Sequence, residues 1–382
     1  MKVQIYSSTS PILRLALEEI AFQIRYPFDF VILAISPKYP YKDIPIYVPD
    51  ILEIKENQYL AFNAIDAFRN TDIIENGVVA CFITFERKGS IKKFIKENIT
   101  NCKFSELVSD TIDYISKNSS LFHIIIADYC QGYFPLFFER LSLELEKRNI
   151  SQNNICGGIT SSFMEDGKRF PGYLFTDRKF IEEGFVILSF ENVLAEVEIS
   201  TGTFKRGPIY TITLGKGFKI YELDGRPAGY LPKALLKNID GERLEYLWYT
   251  PFIIIDGKGN HHAVRTFKSF TDEYIEVWAP IKEGQKVKLS FLIPEEILKD
   301  TEKIVRRLKA AIKTADLCLN FSCTARQYTL EDRAKEELII YGSVINAPLF
   351  GFFTHGEIAP NMKEKKLELH NQTSVGIVLK EI

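Results

Sequence analysis

The chain has 382 residues, 46% of them apolar and 26% charged, a balance typical of globular proteins with room for two substantial cores. A formal net charge of -2 supplies no field to recruit nucleic acid or an anionic membrane. No run approaches ~18 uninterrupted apolar residues, so no membrane insertion is expected.

Residues Met1 to Ser8 lack the basic-then-apolar pattern of an export signal. The six cysteines (Cys81, Cys102, Cys130, Cys156, Cys318, Cys323) show no Cys-x-x-Cys spacing, which disfavours a zinc ribbon or a dithiol redox site. A reducing, cytoplasmic location fits best.

The first predicted elements are a strand through Val3 and Ile5 and a helix opened by Ser10-Pro11, with an apolar stripe of Leu13, Leu17, Ile20 and Ile24. A buried strand, Phe30 to Ile35, follows between Pro27 and Pro37. A second apolar strand, His123 to Cys130, leads into a helix carrying Phe134, Phe138, Leu141 and Leu145, and this unit closes at Ile155-Cys156-Gly157-Gly158. Residues Phe185 to Phe190, Ile209 to Leu214, Phe218 to Leu223, His262 to Phe267 and Val287 to Ile293 read as strands. Turns at Asp224-Gly225, Asp256-Gly257 and Glu283-Gly284 punctuate them.

A further helix places Lys303, Arg306, Arg307 and Lys309 opposite Ile304, Leu308 and Ile312, so its basic residues read as a solvated face. The strand Asp316 to Cys323 then precedes a charged helix (Glu331 to Ile340) and ends at Leu349-Phe350-Gly351. Cys130 to Gly157 spans 27 positions and Cys323 to Gly351 spans 28. The matching plan predicts a mixed α/β (α+β) fold with two pseudo-related halves, each built on a βαβ unit, around a β-rich middle. The domain boundary is placed near Gly215 to Gly217.

Few motifs carry chemistry. Gly215-Lys216-Gly217 lacks the spacing of a phosphate loop, and no Gly-x-Gly-x-x-Gly opens a helix. His261 and His262 are adjacent in a strand and point to opposite faces, so no metal site is expected there. Arg265 stands alone in an apolar strand and either reaches water or pairs with a carboxylate. Gly157 and Gly158 offer backbone N–H groups to an oxygen-rich ligand, although a tight corner explains them equally well.

The most informative stretch is Phe350-Gly351-Phe352-Phe353-Thr354-His355-Gly356-Glu357-Ile358, followed by Asn371-Gln372-Thr373. It is too apolar for a surface turn and too glycine-rich for a strand interior. Cys323, at a strand end, with Arg326 three residues on, could face this corner. Three readings stay open: a ligand site, a thiol enzyme using Cys323 and His355, and an interaction scaffold without a ligand.

Asn320 to Arg326, Gly351 to Ile358 and Leu369 to Thr373 together resemble the C-terminal half of FIST-domain proteins. Lys219 to Ala228 resembles the opening of that domain, and Ile155 to Gly158 with the Gly184 to Phe190 strand is similar to the N-terminal one. Residues Tyr59 to Asp66 depart from the family, which has a glycine-bearing corner with cysteine and glutamate there. The resemblance implies a FIST N-like domain over 1–215 and a FIST C-like domain over 216–382. It implies a sensory input module without catalytic residues, binding an amino acid or related metabolite. A histidine kinase, a chemotaxis protein or a cyclic-dinucleotide enzyme would be its partner, since no output domain is legible in the chain.

On this reading Arg326 holds an acidic group and Glu357 an amino group. Arg265, Cys323, Gly351, Thr354, His355, Gly356 and Asn371 complete the site, and Gly157 and Gly158 are candidates from the N-terminal half. No metal and no cofactor are expected, although haem, used by a subset of the family, stays open through His123, His261, His262, His355 and His370.

Overall fold

The computed structural model describes residues 1–382 apart from 129–131, 162, 166–167, 171, 205–206, 238–243, 256–260 and 362–364. Cys130 and the Asp256-Gly257 turn lie outside the described residues, as do the side chains of His261 and His262.

The fold is mixed α+β, and the two related βαβ segments are joined by a third. Counting only the strands of the three six-stranded sheets, the first segment supplies β1 (Lys2–Ser8), β2 (Phe30–Ile35), β3 (Tyr59–Asn63), β4 (Asp66–Arg69), β5 (Asp72–Glu75) and β6 (Val78–Thr84). The second supplies β7 (Ser90–Lys96), β8 (Phe122–Ala127), β9 (Ile155–Ile159), β10 (Leu174–Thr176), β11 (Lys179–Ile181) and β12 (Phe185–Glu191). The third supplies β13 (Val193–Ser200), β14 (Leu317–Cys323), β15 (Leu349–Thr354), β16 (Glu357–Pro360), β17 (Leu367–His370) and β18 (Ser374–Glu381).

In each segment the second and third strands run parallel. The last strand lies antiparallel between the first and the second. Helices α1 (Leu13–Gln23), α3 (Phe104–Lys117) and α5 (Pro294–Ala311) precede the second strand of their segments. Helix α2 (Ile44–Ile51), helix α4 (Tyr133–Lys147) and the pair α6 (Thr324–Leu330) and α7 (Ala334–Val344) make the parallel crossovers.

The hairpin in each segment leaves its own sheet and completes another. β4–β5 extends the third sheet, with Ala67 opposite Phe352. β10–β11 extends the first, with Leu174 opposite Phe62. β16–β17 extends the second, with Glu357 opposite Gly158. The exchange is cyclic.

Alternation along the strands divides the core. Phe30, Ile32 and Ala34 join Ile124, Ile126, Leu319 and Phe321 in one central cluster fed by all three sheets. Val31, Leu33 and Ile35 face outward under α1 and α2. Both faces are covered, which explains why these strands read as unbroken apolar runs. At the centre Phe352 meets Phe62 and Phe321, with ring centroids 4.5 and 5.3 Å apart. Helix α5 buries Ile304 and Leu308, as its pattern predicts, and turns Arg306 and Lys309 outward.

The β-rich middle is an insertion between β13 and α5. Its strands include Ile209–Lys216, Lys219–Leu223, Phe252–Ile255, His261–Arg265, Phe267–Phe270, Ile275–Val277 and Lys286–Leu289. They enclose a core of their own, with Ile220, Phe252, Phe267 and Val287 at its centre. Gly217, at φ +61°, turns the first two strands into a hairpin. The 215/216 division therefore runs through this hairpin, and the sheets share strands across it. The predicted strand His262 to Phe267 is two strands that break at Thr266.

Residues 1–215 produced alone lack β16–β17 and should give no cooperative thermal transition, whereas the full chain should melt cooperatively. A sharp melt of the 1–215 fragment, with ordered near-ultraviolet circular dichroism, would show that the exchange is dispensable.

Candidate functional site

The parallel strands of each segment end at a common corner. Backbone amides mark the equivalent positions: Ser36 donates to Gly77 O at 2.9 Å, Asp128 to Gly184 O at 2.8 Å, and Cys323 to Thr373 O at 2.9 Å. Strand register likewise makes Ala67, Leu174 and Glu357 equivalent, since their partners Phe352, Phe62 and Gly158 occupy matching places. Two of these three sit in the apolar core, and the third is a carboxylic acid. The repeat is broken at the corner singled out by the sequence.

Glu357 is fully buried. Its Oε1 accepts from the Thr354 hydroxyl, and its Oε2 accepts from the Thr373 amide at 3.1 Å and the Thr373 hydroxyl at 2.8 Å. These donors favour the carboxylate, but desolvation outweighs them and pushes its pKa up to about 7. Cys323 also bonds to it. Burial first, and then the Glu357 charge, raise the Cys323 thiol well above the ordinary range. That is the reverse of what a thiolate nucleophile needs. Burial likewise lowers His355 to about 4, so its imidazole is neutral at pH 7.

Above this buried cluster lies a chamber of ≈ 760 Å³. Its floor is Cys323, Thr324 and Thr354, and its sides include His355, Asn371 and Gln372. The insertion roofs it with Trp248, Tyr249, Thr266 and Trp278. These aromatic residues had no role in the sequence reading. The signal was composition: the chain has 2 tryptophans, and both line the chamber.

Four of its lining residues carry polar atoms that expose almost no surface and have no hydrogen-bond partner among the described residues: Trp248 Nε1, Thr266 Oγ1, Asn371 Oδ1 and Gln372 Oε1. Gln372 has φ +58°, an uncommon conformation for a non-glycine residue. It is tied to the roof, its Nε2 donating to Trp248 O at 2.5 Å.

The structure brings Cys323, Thr354, His355 and Asn371 to the chamber as anticipated. Arg326 is a correction. Its guanidinium is fully buried on the far side of α6, where Nη2 bonds Glu337 Oε1 at 2.6 Å, Thr301 Oγ1 at 3.0 Å and Ser200 Oγ at 3.2 Å. It clamps α5, α7 and the end of β13, and does not line the chamber. Glu357 is the second correction: it lies beneath the floor with both oxygens engaged, so it is not placed to hold an amino group.

Arg265 lines a separate crevice of ≈ 370 Å³ with Glu139 and Glu368, and donates to Pro280 O and Val264 O, each at 3.0 Å. Gly351 and Gly158 are glycines for packing. A Cβ at Gly351 would lie 2.1 Å from Asn320 O, and one at Gly158 would lie 2.7 Å from Thr354 Cγ2. Gly356, at φ +152°, makes the corner itself and is not among the lining residues.

Haem does not fit this arrangement. Among the described residues His355 is the one histidine lining the chamber, and no lysine or arginine lines it to hold propionates. His123 is instead buried against Ser189, and His370 against Ala359 O. No group of three metal-ligating side chains occurs among the described residues, and no described helix is long and apolar enough to cross a membrane.

Residues 60–226 match the family model for the FIST N domain, and residues 230–360 match that for the FIST C domain. A protein of Aquifex aeolicus (strain VF5), named only as uncharacterized, is 30% identical over 266 residues, spanning 67% of this chain and 96% of that protein.

Two outcomes follow from the buried groups. Arg326→Met strands the Glu337 carboxylate and should cost about 3–5 kcal/mol in urea unfolding; a variant as stable as the parent would show that the clamp is idle. For Glu357, the unfolded carboxyl titrates near ~4.3 and the folded one at about 7. Between these values the folded state binds more protons, so stability falls as pH rises from about 5 to 7. Glu357→Gln should flatten that slope, and an unchanged slope would place the titration elsewhere.

Proposed function

The chain belongs to the FIST family, which is associated with signal-transduction sensing, and from that membership we propose that it is a small-molecule sensor whose ligand occupies the chamber between the third sheet and the insertion. The observation that carries this reading is the chamber itself, ≈ 760 Å³, walled by Trp248, Tyr249, Trp278 and Tyr328 and lined by Cys323, Thr354, His355, Asn371 and Gln372, an apolar concavity with a few polar side chains such as small-molecule sites present.

The position of the chamber suggests how occupancy becomes a signal. Thr354, His355, Asn371 and Gln372 belong to the three-sheet body, whereas Trp248, Thr266 and Trp278 belong to the insertion. A ligand bonded to both biases the insertion toward one placement, with the Gln372–Trp248 bond as the existing tie. On this proposal a separate protein, such as a histidine kinase, a chemotaxis protein or a cyclic-dinucleotide enzyme, reads that placement. Amino acids and related metabolites belong in the first ligand panel.

A thermal-shift panel of amino acids, small carboxylates, neutral heterocycles and haem tests the reading. A ligand at ~100 times its dissociation constant adds about 2.7 kcal/mol to the folded state, enough to move the midpoint by a few degrees. The expected result is a rise that disappears in Asn371→Ala. A rise that survives in that variant puts the ligand elsewhere, and silence across the panel overturns the reading.

A further inference from the structure

The seam between the insertion and the three-sheet body is open in two places. Thr266 and Trp278 line the chamber, while their neighbours Arg265 and Ala279 line the crevice of ≈ 370 Å³. The insertion gives the crevice one wall, including Ile254, Ala263 and Ala279, and the body gives the other, including Pro135, Leu143 and Leu369.

Arg265 is 8% exposed, and it lines this space. Its Nε and Nη1 donate to the main-chain carbonyls of Pro280 and Val264, each at 3.0 Å. These bonds fix the plane of the guanidinium and use two of its five N–H donors. Nη2 has no partner among the described residues and, unlike the covered Nε of Arg326, keeps open surface. The two buried arginines also differ in charge balance. Glu337 closes Arg326 at 2.6 Å, whereas Arg265 forms no ion pair among the described residues. A guanidinium held only by carbonyls keeps its charge uncompensated.

The other charged groups on the crevice are committed elsewhere. Glu139 pairs with Lys282 at 3.2 Å, Lys366 pairs with Glu146 at 3.1 Å, and Glu368 Oε1 accepts from Asn361 Nδ2 at 2.9 Å. Burial lowers the pKa of Arg265, and the charges of Glu368 and Glu139 oppose this; the guanidinium stays protonated. Its open edge suits the oxygens of a carboxylate or a phosphate. Glu139 and Glu368 decide between them, because a phosphate brings nearly twice the negative charge toward these two carboxylates. The apolar walls favour an organic body over a bare inorganic anion.

We propose that the crevice is a second binding site, separate from the chamber, that takes a small organic monocarboxylate. The carboxylate sits on the Nη2 edge of Arg265, and the apolar body lies between Ile254 of the insertion and Leu143 and Leu369 of the body.

Propionate, butyrate and benzoate, each beside its amide, and inorganic phosphate are titrated into the full chain by calorimetry and saturation-transfer NMR. At least one carboxylate should bind at millimolar concentration, with its amide and phosphate about tenfold weaker or more. Arg265→Gln should weaken that carboxylate about tenfold or more, and a cooperative melt checks that the variant is folded. Glu139 is partly exposed, and Glu139→Gln removes a repelling charge, so it should tighten binding about threefold. Asn371→Ala, in the chamber, should leave the affinity unchanged. Binding that survives in folded Arg265→Gln, or that is lost in Asn371→Ala, overturns the site, as does silence from every carboxylate. Phosphate or an amide that binds as well as the best carboxylate overturns the ligand class. If Arg265→Gln does not fold, Glu139→Gln decides, and an affinity unchanged or weakened there overturns the proposal.

Discussion

Each sheet in this protein is left unfinished by its own segment of chain and completed by the hairpin of another. The second parallel strand of a segment would otherwise expose an unpaired edge, a template for aggregation. Handing β4–β5, β10–β11 and β16–β17 around the ring covers all three edges at once. It also forces the inner faces of the sheets together, so that Phe62, Phe321 and Phe352 from two segments share one core. No segment can bury its apolar surface alone. The family boundary in the sequence is thus a boundary between stretches of chain, and not between separable bodies.

The same constraint places the candidate site. Thr354 ends a strand of the third sheet and Glu357 begins one of the second, so the corner between them is held from both sides. Equivalent corners stand at Ser36 with Ala64 and at Asp128 with Thr160. The third differs in two ways. It alone carries the insertion, whose tryptophans roof it, and it substitutes Glu357 where the other segments have Ala67 and Leu174. Thr373 stands where the others have Gly77 and Gly184, and its amide and hydroxyl are what Glu357 binds. A departure from an otherwise consistent repeat is where function is expected.

Two buried polar groupings play different parts. Arg326 with Glu337 is a closed pair with additional hydroxyl partners, and it fixes how the helices sit. Glu357 with Cys323, Thr354 and Thr373 forms a proton-holding base beneath the floor. Above it lies the aromatic-walled chamber. The acid is hydrogen-bonded by Thr354 and Thr373 and carries no counter-charge among the described residues, and its burial raises its pKa to about 7.

The sequence by itself determined the buried strands, the amphipathic face of α5, the related βαβ segments and the corner from Gly351 to Glu357, because apolar period and glycine placement are local. It also carried the family. It misjudged Arg326 because Thr324–Leu330 was not read as helix: at about 100° per residue, Ala325, Tyr328 and Thr329 face the chamber while Arg326 turns toward α5 and α7. The first segment was not recognised as a full copy, since its corner, Asn63 to Asp66, has none of the glycines that marked the other two. Only the tertiary structure decided which hairpin completes which sheet, and that Trp248, Thr266 and Trp278 stand over Cys323 and Gln372. Those residues lie on separately built bodies, and pairing across bodies depends on whole-surface fit that no local pattern records.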